Sequence, residues 1–77
     1  MDQFLLYPNP ADNIVNVSQS YNELGQLSIF DLADKKLLDK QIEFNETQID
    51  VSQFVPGVYL IYLENSKGNH FKKLIVY

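Results

Sequence analysis

The sequence predicts an all-β protein, an immunoglobulin-like antiparallel β-sandwich of about seven short strands. Short apolar runs alternate in parity along most of the chain, as half-buried strands do. Turn-forming residues interrupt these runs at short intervals, at Asn22 to Gly25, Pro56-Gly57 and Asn65 to Gly68. One six-residue run, residues 58–63, is apolar throughout and rich in β-branched and aromatic side chains, which suits a central strand. The chain has neither Cys nor Trp, the usual marks of antibody domains, so the sandwich rests on strand count alone.

The opening Phe4-Leu5-Leu6-Tyr7 reads as a short edge strand or the end of a linker. It stops at Pro8-Asn9-Pro10, where two prolines forbid helix and favour an extended, polyproline-like path. Residues 13–18 alternate, with Ile14 on one parity and Val15 and Val17 on the other, and predict a strand. A polar break at residues 21–25 precedes the next, residues 26–31, carrying Leu27, Ile29 and Phe30.

Residues 31–41 admit two readings. Phe30, Ala33 and Leu37 fall at helical spacing, as do Leu38 and Ile42, so local propensity favours a helix weakly. Lys36-Leu37-Leu38-Asp39 reads equally well as a strand entered through a tight turn at residues 32–34. Beyond it, Ile42 and Phe44 share one parity and Thr47, Ile49 and Val51 another, with Asn45-Glu46 between, giving two short strands or one bent strand.

Val55-Pro56-Gly57-Val58 places Pro and Gly where a type II turn needs a fixed negative φ and then a positive one. Asn65-Ser66-Lys67-Gly68 has the pattern of a type I turn leading into a glycine bulge, closing a hairpin with a last strand over residues 70–77. On that strand Phe71, Lys73, Ile75 and Tyr77 share one face and His70, Lys72, Leu74 and Val76 the other. Such a strand is either buried on both faces or read by another protein through strand addition, and its lysines resemble charges that discourage edge-to-edge aggregation.

The 77 residues, 45% of them hydrophobic, make one small domain, residues 1–77. A chain this size buries only about 60–65% of the surface its unfolded form exposes, and without Cys no disulfide supplements that core. The apolar content is too high, and the net charge of −4 too modest, for a disordered segment. Six Lys, no Arg and ten acidic residues argue against nucleic acid, which needs concentrated positive charge and favours guanidinium, and against anionic lipid. No apolar run approaches the roughly 20 residues of a membrane helix, and Met1-Asp2-Gln3 does not open a signal peptide. No membrane insertion is expected, and the chain reads either as cytosolic or as a piece of a longer protein.

Chemistry is sparse. A hydrolytic triad would have to combine His70, the single histidine, with Ser52 or Ser66 and an acid such as Asp50, and no nucleophile elbow frames either serine. Zinc lacks ligands, and Asp31, Asp34, Asp39 and Asp50, near strand ends, show no alternating calcium loop, so they read as turn-stabilising residues. No cofactor is expected. Tyr21, Tyr59, Tyr62 and Tyr77 are candidates for glycan stacking, against the plainer reading of core packing and cross-strand pairs. Asn16-Val17-Ser18 and Asn45-Glu46-Thr47 match the glycosylation sequon, a frequent chance pattern.

Five segments occur in a telling order: Tyr7-Pro8-Asn9-Pro10-Ala11; Ile29-Phe30-Asp31-Leu32 followed by Lys35-Lys36-Leu37; Ile49-Asp50-Val51-Ser52; Pro56-Gly57-Val58-Tyr59; and Lys72-Lys73-Leu74-Ile75. Together they resemble the C-terminal sorting domain of the type IX, or Por, secretion system of certain Gram-negative bacteria. The resemblance runs from Leu6 to Val76. It implies an immunoglobulin-like sandwich at the end of a larger exported protein, acting as a cargo label and not as an enzyme. It further implies transit of the fused N-terminal cargo through the periplasm, recognition by the outer-membrane translocon, and removal of the tail by a surface sortase-like peptidase while the cargo is attached to lipopolysaccharide. The cargo then resides at the cell surface or in the medium. The resemblance also favours a hairpin over a helix at residues 31–41.

Two departures from the family pattern stand out. Ala33-Asp34 occupies the turn where the family usually has glycine, although Asp tolerates the left-handed conformation. The chain ends Val76-Tyr77 where the family often ends on a basic residue. Met1 reads as an added initiator on an excised domain. The residues expected to set shape or be recognised are Pro8, Asn9, Pro10, Asp31, Pro56, Gly57, Tyr59, Lys72, Lys73, Leu74 and Ile75. An accessory carbohydrate-binding or adhesion module is the rival reading, and a homodimer formed by exchanging a strand is left open.

Overall fold

The computed structural model describes residues 4–19 and 24–77, and among these there is no helix. The strands are β1 (Phe4–Tyr7), β2 (Ile14–Gln19), β3 (Gly25–Phe30), β4 (Lys36–Ile42), β5 (Glu46–Asp50), β6 (Gly57–Asn65) and β7 (Gly68–Val76). They form a three-stranded sheet, β1-β2-β5, and a four-stranded sheet, β4-β3-β6-β7, with every named pairing antiparallel. The alternation read from the sequence sets the inner faces: Val15 and Val17 are fully buried while Ile14 faces outward. Leu27 and Ile29 on β3, Ile61 and Leu63 on β6 and Leu74 on β7 oppose them from the second sheet. This shared apolar layer holds the sheets together, since burying each such side chain contributes about 1.5–3 kcal/mol.

Of the two readings of residues 31–41, the structure has the one the resemblance favours and not the helix: a tight turn followed by β4. The Asp31 carboxylate accepts the N–H groups of Ala33 (2.8 Å) and Lys35 (2.9 Å), while the Asp31 N–H donates to the Lys35 carbonyl (3.0 Å). Asp34 takes up the left-handed conformation at φ 67°, so it serves where glycine would be expected. Weak propensity loses here because β4 gains a full ladder against β3, with a register shift between Ile29 and Phe30.

Residues 8–10 also differ from expectation. They bend where a polyproline path was expected, and the Tyr7-Pro8 and Asn9-Pro10 peptide bonds are both cis. The bend carries the chain from the edge of one sheet to the edge of the other, where Ala11 forms a parallel bridge with Val76.

The type II turn expected at residues 55–58 is absent. Gly57 has φ 159°, far from the roughly +80° that turn requires, because it already pairs with Val76 as the first residue of β6. The reversal lies earlier, where the Phe54 N–H donates to the Val51 carbonyl (3.0 Å). The β6–β7 hairpin forms as expected but pairs from Asn65↔Gly68 onward, two residues before the predicted start. Asn65 Oδ1 accepts the Lys67 N–H (2.9 Å), and Gly68 at φ 118° supplies a conformation other residues resist. Residues 43–45 separate β4 from β5, with Glu46 already paired as the first residue of β5, so the parity change marks passage between sheets and not a bend.

Candidate functional site

The registers bring most of the expected residues to one end of the sandwich. Gly57 lies opposite Val76 and Tyr59 opposite Leu74, so the start of β6 and the end of β7 coincide. Phe30 pairs with Leu60, which puts Asp31 beside them, and the Ala11 bridge draws in the segment after β1. Pro8, Asn9, Pro10, Asp31, Pro56, Gly57, Lys73, Leu74 and Ile75 therefore share this end, whereas Lys72 stands nearer the middle of β7, opposite Ile61.

Asn9 is the most informative of them. Its side-chain Nδ2 donates to the Lys73 carbonyl (2.9 Å) and its Oδ1 accepts the Ile75 N–H (3.0 Å). The amide thus satisfies one outward-facing acceptor and one donor of β7, as a neighbouring strand would. Main-chain bonds continue the cover, from the Ala11 N–H to the Ile75 carbonyl (2.7 Å) and from the Tyr77 N–H to the Ala11 carbonyl (3.0 Å). Ala11, the last residue of the first of the five ordered segments, is fully buried, a burial that no apolar alternation around it announces. Farther along the same flank, Lys72 Nζ lies 5.8 Å from the Phe4 ring centroid and ties β7 to β1.

Tyr59 has a structural place. It is buried, its hydroxyl donates to the Val55 carbonyl, and its ring lies 5.1 Å from that of Phe54. A tyrosine at the start of β6 bonding four residues upstream is the tyrosine corner of immunoglobulin-like sandwiches. Core packing, the plainer expectation for this ring, agrees with its burial, whereas no sequence signal marks the carbonyl that its hydroxyl reaches. Leu74 is likewise fully buried, so of the terminal lysine-leucine-isoleucine group Lys73 is exposed and Lys72 and Ile75 are half-buried.

The other aromatics disperse. Tyr62 stacks on Phe71 across the outer face of the four-stranded sheet at 6.1 Å, Tyr77 is exposed, and Tyr21 lies outside the described residues. Tyr7, quoted in the first of the five segments but not among the expected site residues, donates its hydroxyl to Glu46, and this bond pushes the hydroxyl above its ordinary pKa, with desolvation and the carboxylate charge adding.

The residues weighed for a triad are not brought together. Ser52 follows β5 near the Gly57 end, whereas His70 and Ser66 lie at the far end of the β6–β7 hairpin, about 20 Å along six strand residues. The aspartates are spread as well. Asp31 serves its turn, Asp39 accepts from Gln26, Ser28 and Lys36, and Asp50 accepts the Ser52 N–H. Hydrogen bonds from Gln26 and then Lys36 hold Asp39 below the usual carboxylate range, and bonds from Ser52 do the same for Asp50. Among the described residues, no three acidic, His or Cys side chains form a group able to hold a metal ion. Of the sequon asparagines, Asn16 donates its amide to the Tyr7 carbonyl (3.1 Å) and Asn45 is exposed between β4 and β5.

A family model described as a secretion system C-terminal sorting domain matches residues 5–77. No curated protein matches the chain. Among solved structures, the chain is similar to one described as a structural and functional probing of PorZ, an essential bacterial surface component of the type-IX secretion system of human oral-microbiomic Porphyromonas gingivalis. The likeness has a TM-score of 0.80 and 17% identity, covering 96% of this chain and 11% of that one, so it speaks to the fold alone.

Proposed function

The chain belongs to the secretion system C-terminal sorting domain family, and from that premise we propose how its residues do the sorting. Its function is that of a C-terminal sorting signal for type IX secretion, which sends a cargo protein to the cell surface or beyond the cell. The match over residues 5–77 is the observation that carries this. The finer reading is that the chain, residues 1–77, is the last module of a longer exported protein whose cargo precedes it. That cargo travels through the periplasm, the outer-membrane translocon recognises the folded tail, and a surface sortase-like peptidase takes it as substrate. The domain is on this reading an object of catalysis and not a catalyst.

Within the module, Lys72, Lys73 and Ile75 are the recognised residues, while Leu74 fixes their strand through the core. Pro8, Asn9, Pro10, Asp31, Pro56, Gly57 and Tyr59 shape the end that presents them. In support, Lys73 is exposed at that end, and the hydrogen bonds of Asn9, Asp31 and Tyr59 are each spent on the domain's own backbone. The test is a reporter carrying a signal peptide and this chain at its C-terminus, expressed with and without the type IX machinery. Surface or extracellular reporter is expected only with the machinery, and a Lys72→Ala/Lys73→Ala variant that folds normally is expected to accumulate in the periplasm. Unchanged export of that variant would discard the lysines as recognised residues, and periplasmic retention of the parent chain would discard the sorting role.

A further inference from the structure

The edges of the two sheets are not equally protected. β1 and β5 are short, at four and five residues, and the β4 edge follows a register irregularity at Ile29/Phe30. Shortness and bulges are the usual devices that make an edge unreceptive. β7 is different, with nine residues ending the strand order of its sheet. Its outward-facing backbone groups belong to the odd-numbered residues, since the Lys73 carbonyl, the Ile75 N–H and carbonyl and the Tyr77 N–H all bond away from β6. Asn9 and Ala11 occupy that series from Lys73 O onward. By the same alternation, the groups of Asn69 and Phe71 and the N–H of Lys73 complete it on the half for which no cover is found among the described residues.

Charge adds a second observation. The chain carries a net charge of −4, yet from Ser66 to Tyr77 it contains Lys67, Lys72 and Lys73 and no acidic residue. Phe71, on the same stretch, is 66% exposed beside Tyr62.

We infer that β7 accepts an added strand from the export apparatus along Asn69, Phe71 and Lys73, and that the Asn9 cover sets where this pairing stops. The partner segment is extended, carries acidic side chains against the lysines, and places an apolar one over Phe71. This rests on the sorting function proposed above and names how the terminal strand is read. Asn9 thus has a positioning role, closing the last part of the edge so that a single register is offered.

Proline separates this from recognition of side chains alone. Phe71→Pro removes an outward N–H that β6 does not use, and edge positions of this kind tolerate proline. Phe71→Ala removes the ring and leaves the edge intact. In the reporter assay, Phe71→Pro is expected to lower machinery-dependent export at least tenfold while circular dichroism and melting match the parent, and Phe71→Ala is expected to stay within a few-fold. Should Phe71→Pro fail to fold, Asn69→Pro blocks the neighbouring outward N–H with the same expected loss. Export of a folded proline variant at the parent level, or equal loss from Phe71→Ala, overturns strand addition. Because the parent chain is run alongside with and without the machinery, these outcomes leave the sorting role itself standing.

Discussion

Two side chains hold this small domain's corners, and each makes a measurable prediction. The Tyr59 hydroxyl satisfies the Val55 carbonyl across the β5–β6 connection, so Tyr59→Phe deletes a hydrogen bond without opening a cavity. Its expected cost is about 1 kcal/mol in chemical denaturation, which for a chain of this size lowers the melting temperature by roughly 4–8 °C. The Asp31 carboxylate organises the β3–β4 turn through two backbone N–H groups. Asp31→Ala should cost about 1–2 kcal/mol by analogy with losing a helix cap, and Asp31→Asn, which keeps an acceptor oxygen, should cost less. Equal losses from Ala and Asn would mean that the acceptor oxygen is not what matters. That Asp31 serves a turn and that Tyr59 packs in the core were both expected from sequence, but the atoms they reach were not. The partner atoms are four residues or fewer away, yet which of them is reached depends on how the chain reverses.

At the scale of elements, the alternating strands were the legible part. β2 and β3 follow from parity, because a half-buried strand repeats its apolar residues every second position, whereas β6 follows from its continuous apolar run and β7 from the turn before it. The stretch that became β4 was not legible from its own residues. It is exposed except at Leu38 and Ile42, so core burial wrote little into its pattern and pairing with β3 decides it. The Pro56-Gly57 turn failed for a related reason: pairing with Val76 extends Gly57 and overrides the local turn signal. The cover over β7 was invisible, since it depends on a side-chain amide reaching a strand more than sixty residues away. Asn9→Ala removes both of its bonds while leaving the Ala11 bridge. Amide exchange at Ile75 should then speed up markedly, with Leu74, bonded on the β6 side, little changed; equal protection of Ile75 in variant and parent would show that Asn9 does not close the edge.

For the whole molecule, the candidate residues converge because successive connections of a sandwich return to the same end: the segments after β1, β3 and β5 and the close of β7 meet there. The sequence could supply the residues but not their convergence, which is a property of topology. Stability as a function of pH is set at this scale too. Asp39 and Asp50 have folded-state pKa values below their unfolded ones, so their contribution is complete above about pH 4 and disappears as the pH falls through the folded values. Tyr7 acts in the opposite sense, since its folded pKa is raised: its contribution is complete below about pH 10 and is lost as the pH rises further. With no disulfide to hold the chain, denaturant midpoints should fall at both extremes and stay flat between them. Asp39→Asn together with Asp50→Asn should weaken the domain at neutral pH and flatten its acid limb, while Tyr7→Phe should flatten only the alkaline one. An acid limb of unchanged slope in the double variant would place the acid sensitivity in other carboxylates.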